Sequence, residues 1–520
     1  MSSQTISVSR PVPEQPWSPI AGEITVGKDI LELLSTSMYV VPMSIYREYV
    51  QNSADSIDDA REAGILADGA PGFIDFNIDP ESRTVRIRDN GIGVPSAEFA
   101  ERLTSFGASR KRGRSARGFR GVGRLAGLGY CQELTFRSRA SGETLVSEIR
   151  WDCRRLKSLL RAEDERQKHL RDIILESVTV RQIPSAGFPS HFFEVELQGI
   201  IRHRNDQLLD TAAINAYLSQ VGPVPFPPDF LHGQAIVNFL QSRVKLGQIE
   251  IRLPGMTQPV YRPHRDHIEL GSGIRDAVTD LQMIAIPGMD GETAALGWIL
   301  HHGYTGALPG HTLQKGLRLR AGNIQVGDDR LLEDLFAEPR FNSWSIGEIH
   351  VIDNRVVPNG RRDNFEQNTH YLNVLSHLTL LARDLTKRCR TGSIQRNRWR
   401  EFLRNIEIAR EKLAIVKQGA VGKAERARLL REIQAAIAEA ERVSHGELFA
   451  PPQDARPERE LLKLKREVAK VTGDDGAAVP LAHLSRVHRQ AYQQVFSLIY
   501  ECAPNRTVAK AIVDRIITRL

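Results

Sequence analysis

The chain has 520 residues, is 41% hydrophobic and 26% charged, and carries a formal net charge of +7 with a pI near 9.2. That length exceeds a single core and calls for several domains. No apolar run approaches the ~18 residues of a membrane span, the N-terminus lacks a signal-peptide core, and four scattered cysteines without a CxxC pair argue against zinc or a disulfide framework. The expectation is a cytoplasmic protein with no membrane partner, whose basic charge permits an anionic one.

Residues 1–20 hold Pro11, Pro13, Pro16 and Pro19 and read as a flexible lead-in. Lys28 to Met38 has a helical pattern, and Ser44 to Arg61 follows with a stronger one. There Glu48, Asn52 and Asp55 are spaced i, i+4, i+7, which places them on one face of a helix. Ile45, Tyr49 and Ile57 mark an apolar stripe beside it. A carboxylate can take a proton from water, and an amide oxygen suits a hard cation such as Mg²⁺. A solvated polar face would show the same residues.

Phe73–Ile78 and Val85–Asp89 alternate around an Asp79–Ser82 turn, the pattern of a β-hairpin. It ends in Asp89-Asn90-Gly91-Ile92-Gly93. Glycines there let the backbone pass close to a flat ring, and the carboxylate can accept from an exocyclic amine such as that of adenine. Ser105–Gly129 is rich in glycine and arginine, and Gly118–Gly123 leads into a helix-compatible stretch at Arg124–Leu128. Glycine-freed N–H groups at a helix start make an anion nest, and Ser109–Arg117 suits a lid. The glycine spacing fits neither a P-loop nor a dinucleotide fingerprint.

Taken together, Glu48-x-x-x-Asn52-x-x-Asp55, Asp89-x-Gly91-x-Gly93, Ala108-Ser109-Arg110-Lys111 and Gly118-x-x-Gly121-Val122-Gly123 resemble the Bergerat-type ATP site of the gyrase, heat-shock chaperone, histidine kinase and MutL superfamily (GHKL). The resemblance implies ATP and Mg²⁺ as cofactors and assigns roles. Glu48 activates the attacking water, Asn52 ligands Mg²⁺, and Asp89 reads the adenine amine. Gly91 and Gly93 line the adenine pocket, and Asp55 supports it from behind. Ser109, Lys111, Gly118, Gly121, Val122 and Gly123, with the N–H groups from Arg120 to Arg124, surround the phosphates. That family closes its domain with a Gly-Thr pair whose hydroxyl backs the aspartate. Here Ser190, before the strand-like Phe192–Val195, is the substitute.

Further on, Gln207–Gln220 reads as a helix and Pro223–Pro228 as a rigid turn. Ile346–Asp353 reads as a strand, and Val357–Asp363 as a loop entering a helix. The strand and loop resemble the middle domain of the heat shock protein 90 family, with Pro358, Asn359, Arg362 and Asp363 at matching positions. The resemblance makes Arg362, with Arg361 as the alternative, the arginine that reaches the γ-phosphate and couples hydrolysis to closure.

Beyond residue 380, Phe402, Ile406, Ala409, Leu413 and Val416 repeat at 4 and 3, as do Leu429, Ile433, Ala436, Ala440 and Val443. Such seams predict a helical hairpin. A basic run from Arg383 to Arg404 encloses Trp399, which reads as a solvated face or as a surface for nucleic acid or an acidic partner. Gly446–Pro457 and Thr472–Pro480 are breaks. Leu484, Val487, Ala491, Val495 and Leu498 form a stripe suited to homodimerisation as well as to internal packing.

The expected fold is therefore an α+β N-terminal Bergerat sandwich with helices on a mixed sheet (21–200), an α/β middle domain (201–380) and an all-α C-terminal region. The last divides into a hairpin at 381–446 and terminal helices at 447–520. The expected function is a chaperone-like ATPase clamp acting on a protein client. The alternative is an ATP-gated nucleic-acid clamp similar to MutL and MORC proteins.

Overall fold

The computed structural model describes residues 41–67, 69–105, 123–161, 169–271, 274–452, 454–473 and 480–520. The expected lead-in and the Lys28–Met38 helix lie outside them. The described residues up to Pro225, with Gly247–Tyr261, form one compact unit; Phe226–Leu246 with Arg262–Leu520 form the other.

The first unit is built on helix α1 (Ser44–Glu62). Ile45, Tyr46, Val50, Ala54 and Ile57 are buried in one cluster with the inner face of a seven-stranded sheet. The strands are β1 (Phe73–Asp79), β2 (Thr84–Asp89), β3 (Glu133–Arg139), β4 (Leu145–Asp152), β5 (Val178–Pro184), β6 (Phe192–Gln198) and β7 (Glu250–Arg252). Their order is β5-β4-β3-β6-β2-β1-β7. All neighbours are antiparallel except β1 and β7, so the sheet is mixed. The β1–β2 turn is locked by Asp79, whose carboxylate accepts the Glu81 N–H at 3.0 Å. Ile74, Phe76, Val85, Ile87, Leu134, Phe136, Val195 and Leu197 join the core. Charged residues alternate with them. Arg137 pairs with Glu148 at 2.6 Å and Glu194 at 2.8 Å, and also with Glu196, a cross-strand ladder that satisfies three buried carboxylates. The sheet reaches past residue 200, because β7 adds to the edge of β1 after a long excursion.

Helices α2 (Ser96–Thr104), α3 (Cys153–Arg161), α4 (Leu170–Ser177) and α5 (Thr211–Val221) complete the unit. Asp210 caps α5 by accepting from the N–H groups of Ala212 and Ala213. The cysteines, scattered in sequence, are all free thiols; Cys131 and Cys153 come to 3.8 Å, Cys389 is buried, and Cys502 is exposed.

The second unit begins with α6 (Gly233–Gln241). A hairpin of β8 (His267–Gly271) and β9 (Ile274–Ala277) precedes β10 (Asp280–Pro287), β11 (Thr293–His301), β12 (Gly316–Ala321), β13 (Ile324–Val326) and β14 (Ile346–Val351). The last five form a sheet of order β10-β11-β14-β12-β13, in which only β12 and β14 run parallel. At its centre Glu348, 1% exposed, meets Arg320 at 2.7 Å and also Arg262; His350 lies at 3.4 Å and His264 at 3.7 Å.

Helix α7 (Thr369–Gln418) runs for 50 residues, capped by Asn368 and ended by Gly419 at φ 71°. It crosses the expected boundary at 380 without a break, because its first half packs on the sheet core and its second half on a helical one. The two seams meet there: α8 (Lys423–Ser444) and α9 (Pro457–Gly473) bury Leu429, Ile433, Leu461 and Leu464 with Phe402, Ile406 and Leu413. Trp399 stacks on Phe402 at 5.3 Å and leans on Phe449. Helices α10 (Arg486–Cys502) and α11 (Arg506–Ile517) pack through Phe496 and Val513 instead of the expected stripe. Val487, Val495 and Leu498 of that stripe point outward, at 76%, 46% and 56% exposure. No described helix is long and apolar enough to cross a membrane.

Candidate nucleotide site

The site is framed by α1, the end of β2 and the 3-10 helix Gly123–Gly129. Asp89 is the last residue of β2, between Ile74 of β1 and Phe193 of β6, and is 1% exposed. Its Oδ1 accepts the Gly91 N–H at 2.9 Å. Its Oδ2 is buried and makes no hydrogen bond among the described residues. Burial pushes this carboxyl up to about 7, against the opposing pull of the nearby Ser53 hydroxyl and the N–H groups of Gly91 and Phe193. An unsatisfied buried carboxylate oxygen is costly unless something outside the fold supplies a donor.

The two glycines after Asp89 are required by the protein itself. A Cβ on Gly91 would lie 2.2 Å from Ser56 Oγ and 2.7 Å from the Ser56 carbonyl carbon, and the Ile92 N–H bonds the Ser56 carbonyl at 3.0 Å. Gly93 sits at φ 73°, where a Cβ would meet the Arg139 carbonyl oxygen at 2.3 Å. These contacts let α1 and β3 close around the aspartate.

Glu48 is buried, 3.6 Å from Arg47, and its Oε2 would lie 2.2 Å from a Cβ on Gly123. The end of the glycine-rich segment therefore rests on this carboxylate. Tyr49, beside it, accepts the Gly127 N–H at 3.0 Å and fixes the 3-10 turn. Asn52 is half-exposed and Asp55 is buried further along α1. Arg124 donates to the Ser105 carbonyl and so ties the two flanks of 106–122 together. Burial, with Arg102 nearby, lowers its pKa to about 10. Its side chain thus serves the loop base. Ser109, Lys111, Gly118, Arg120, Gly121 and Val122 lie outside the described residues.

Ser190 is exposed and precedes β6, so it does not back Asp89. Ser53 stands beside the carboxyl instead, and His191 holds the Gly91 carbonyl through Nδ1 at 2.8 Å. Neither was legible in the sequence: Ser53 falls between the motif positions of α1, and His191 meets the Gly91 carbonyl only through the tertiary fold.

Residues 42–178 match the family described as histidine kinase-, DNA gyrase B-, and HSP90-like ATPase. The first unit carries a GHKL-type ATPase domain. Within this ATPase domain the chain is similar to the chaperone protein HtpG of Polaromonas naphthalenivorans, 27% identical over 139 residues, covering 24% of this chain and 22% of the relative. HtpG of Acinetobacter baylyi is 28% identical over 139 residues, with the same coverage. HtpG of Coxiella burnetii is 33% identical over 90 residues, 16% of this chain and 14% of that protein. The match spans about a fifth of the length of the first two of these relatives. All of these likenesses concern the ATPase domain.

In the second unit the expected arginine pair is split. Arg362 is 6% exposed at φ 56°, its N–H bonded to the Asn359 carbonyl at 3.1 Å and its carbonyl to the Gly327 N–H at 2.9 Å. Arg361 is exposed.

Proposed function

We propose that this chain hydrolyses ATP to ADP and phosphate and uses the cycle as a chaperone-like clamp on a protein client. The observation that carries the reading is the orphaned Oδ2 of Asp89, buried under α1 on a carboxyl that stands beside Ser53. An adenine amine supplies the missing donor. Glu48, pressed against the start of the 3-10 helix, accepts the proton of the attacking water. The half-exposed amide of Asn52 offers Mg²⁺ one oxygen, and such an ion keeps several waters and takes other ligands from the phosphates. Mg²⁺ would neutralise charge on the phosphoryl group. Lys111 and the backbone of 118–124 are assigned to the outer phosphates, as the resemblance implies.

The arginine that senses the γ-phosphate is assigned to Arg361 rather than Arg362, because Arg362 is buried within its own unit by a left-handed turn. The outward stripe Val487, Val495 and Leu498 supports assembly of two copies through the terminal helices, in a cytoplasmic setting.

Glu48→Ala tests the reading. Turnover is expected to fall by roughly 10²–10⁴, the usual worth of a general base, while ATP still binds. Unchanged turnover removes Glu48 from the chemistry. Arg361→Ala is expected to lower turnover by about 10³ if it acts as an arginine finger; a loss confined to Arg362→Ala returns the role to the buried residue.

A further inference from the structure

Between Arg383 and Arg404, helix α7 carries eight Lys and Arg against only Asp384 and Glu401. Three of the eight are accounted for. Arg388 pairs with Asp384 at 3.6 Å, Arg390 with Glu338 at 2.7 Å, and Arg396 donates to the Tyr304 carbonyl at 2.6 Å beneath the Trp344 ring. Arg383, Lys387, Arg398, Arg400 and Arg404 make no ion pair among the described residues. Arg398 is half-exposed and the other four are exposed.

Elsewhere in the helical region several cations do find a carboxylate. Lys417 pairs with Glu467 at 2.6 Å and Arg428 with Glu425 at 3.0 Å, and Arg410, Lys412 and Lys465 each pair with a glutamate of a neighbouring helix. Beyond Arg404 the three cations of α7 are matched across helices, whereas the run from Arg383 to Arg404 leaves five without a counter-charge among the described residues.

At about 100° and 1.5 Å per residue, the five fall within roughly 160° of the circumference and span ~32 Å, close to one turn of a nucleic-acid duplex. Four of the five are arginines, whose planar forks match phosphate oxygens. Trp399, the aromatic of the run, is committed to Phe402 and Phe449 and is not offered to bases. We propose that this face of α7 binds the phosphate backbone of a nucleic-acid duplex without sequence preference. The inference does not depend on the ATPase reading, since it uses neither the pocket nor nucleotide.

The test uses the full chain without nucleotide and a labelled 30-base-pair DNA duplex of arbitrary sequence, with an RNA duplex in parallel. Binding is expected at low salt, with log K falling against log salt at a slope of about −4 to −5 for five phosphate contacts. Replacing the five by Gln, which keeps helix propensity, should weaken binding at least tenfold and flatten the slope. Replacing the four arginines by Lys should keep most of the slope, which separates charge from misfolding. No binding at low salt overturns the proposal, as does unchanged affinity in the Gln variant. Competition by polyglutamate as effective per charge as the duplex also overturns it, in favour of an acidic protein partner.

Discussion

Each unit buries a carboxylate at the heart of its sheet, and the two are treated in opposite ways. Glu348 is surrounded by Arg262, Arg320, His264 and His350; although burial alone would raise its pKa, the two arginine charges, with the histidines close by, hold it well below the usual carboxylate range. Asp89 has no cation beside it among the described residues, and burial carries it up to about 7. Buried charge that is matched inside the fold is architecture, whereas a buried carboxyl left without a cation is pushed toward its neutral form. The pair also explains why the histidines stay neutral, at about 4 each: desolvation outweighs the attraction of Glu348.

The comparison breaks most visibly at Glu348. Glu348→Ala strands two buried guanidinium groups and should cost the second unit about 3–5 kcal/mol, read as a loss of denaturant midpoint, with nucleotide affinity unchanged. Asp89→Asn should do the reverse. Nucleotide affinity should fall by a factor corresponding to about 2–5 kcal/mol, the worth of a truncated charged hydrogen bond, while the first unit loses little stability. Calorimetry showing normal affinity in this variant would remove Asp89 from adenine recognition.

The pH dependences should have opposite signs. Asp89 has its pKa raised in the folded state, so its contribution is full below about pH 4 and lost as pH rises through about 7. The two histidines have theirs lowered, so their contribution is present above about pH 6.5 and lost as pH falls toward 4. Acidification from pH 7 should therefore strengthen the first unit while it weakens the second, by a few kcal/mol in each direction. Scanning calorimetry across that range should show two transitions moving apart, and transitions that shift together would reject the account. The smallest effect is expected from Ser53→Ala. Losing that hydroxyl should raise the Asp89 pKa further and weaken nucleotide binding by about 1 kcal/mol.

The spacing of Glu48, Asn52 and Asp55, the β1–β2 hairpin and the helical seams were legible because each repeats with the period of its element. Asp89 was legible because a strand-end aspartate before two glycines is a local pattern. The reason for those glycines was not, since Ser56 and Arg139 reach them only through the tertiary fold. Glu348 was read as one residue of a strand, and nothing local announces that Arg262, 86 positions earlier, will neutralise it. The outward face of α7 was visible as a basic run, but which cations find glutamates depends on helix packing. The expected arginine loop rests on resemblance, and backbone conformation is what separates Arg361 from Arg362.

Of the four thiols, three are sealed inside the fold and Cys502 alone, at the end of α10, meets solvent. The natural chain can therefore accept a single maleimide dye without mutagenesis, next to the outward apolar stripe. If two copies assemble, energy transfer from a donor dye on one to an acceptor dye on the other would report it, and loss of that transfer on dilution would time their separation.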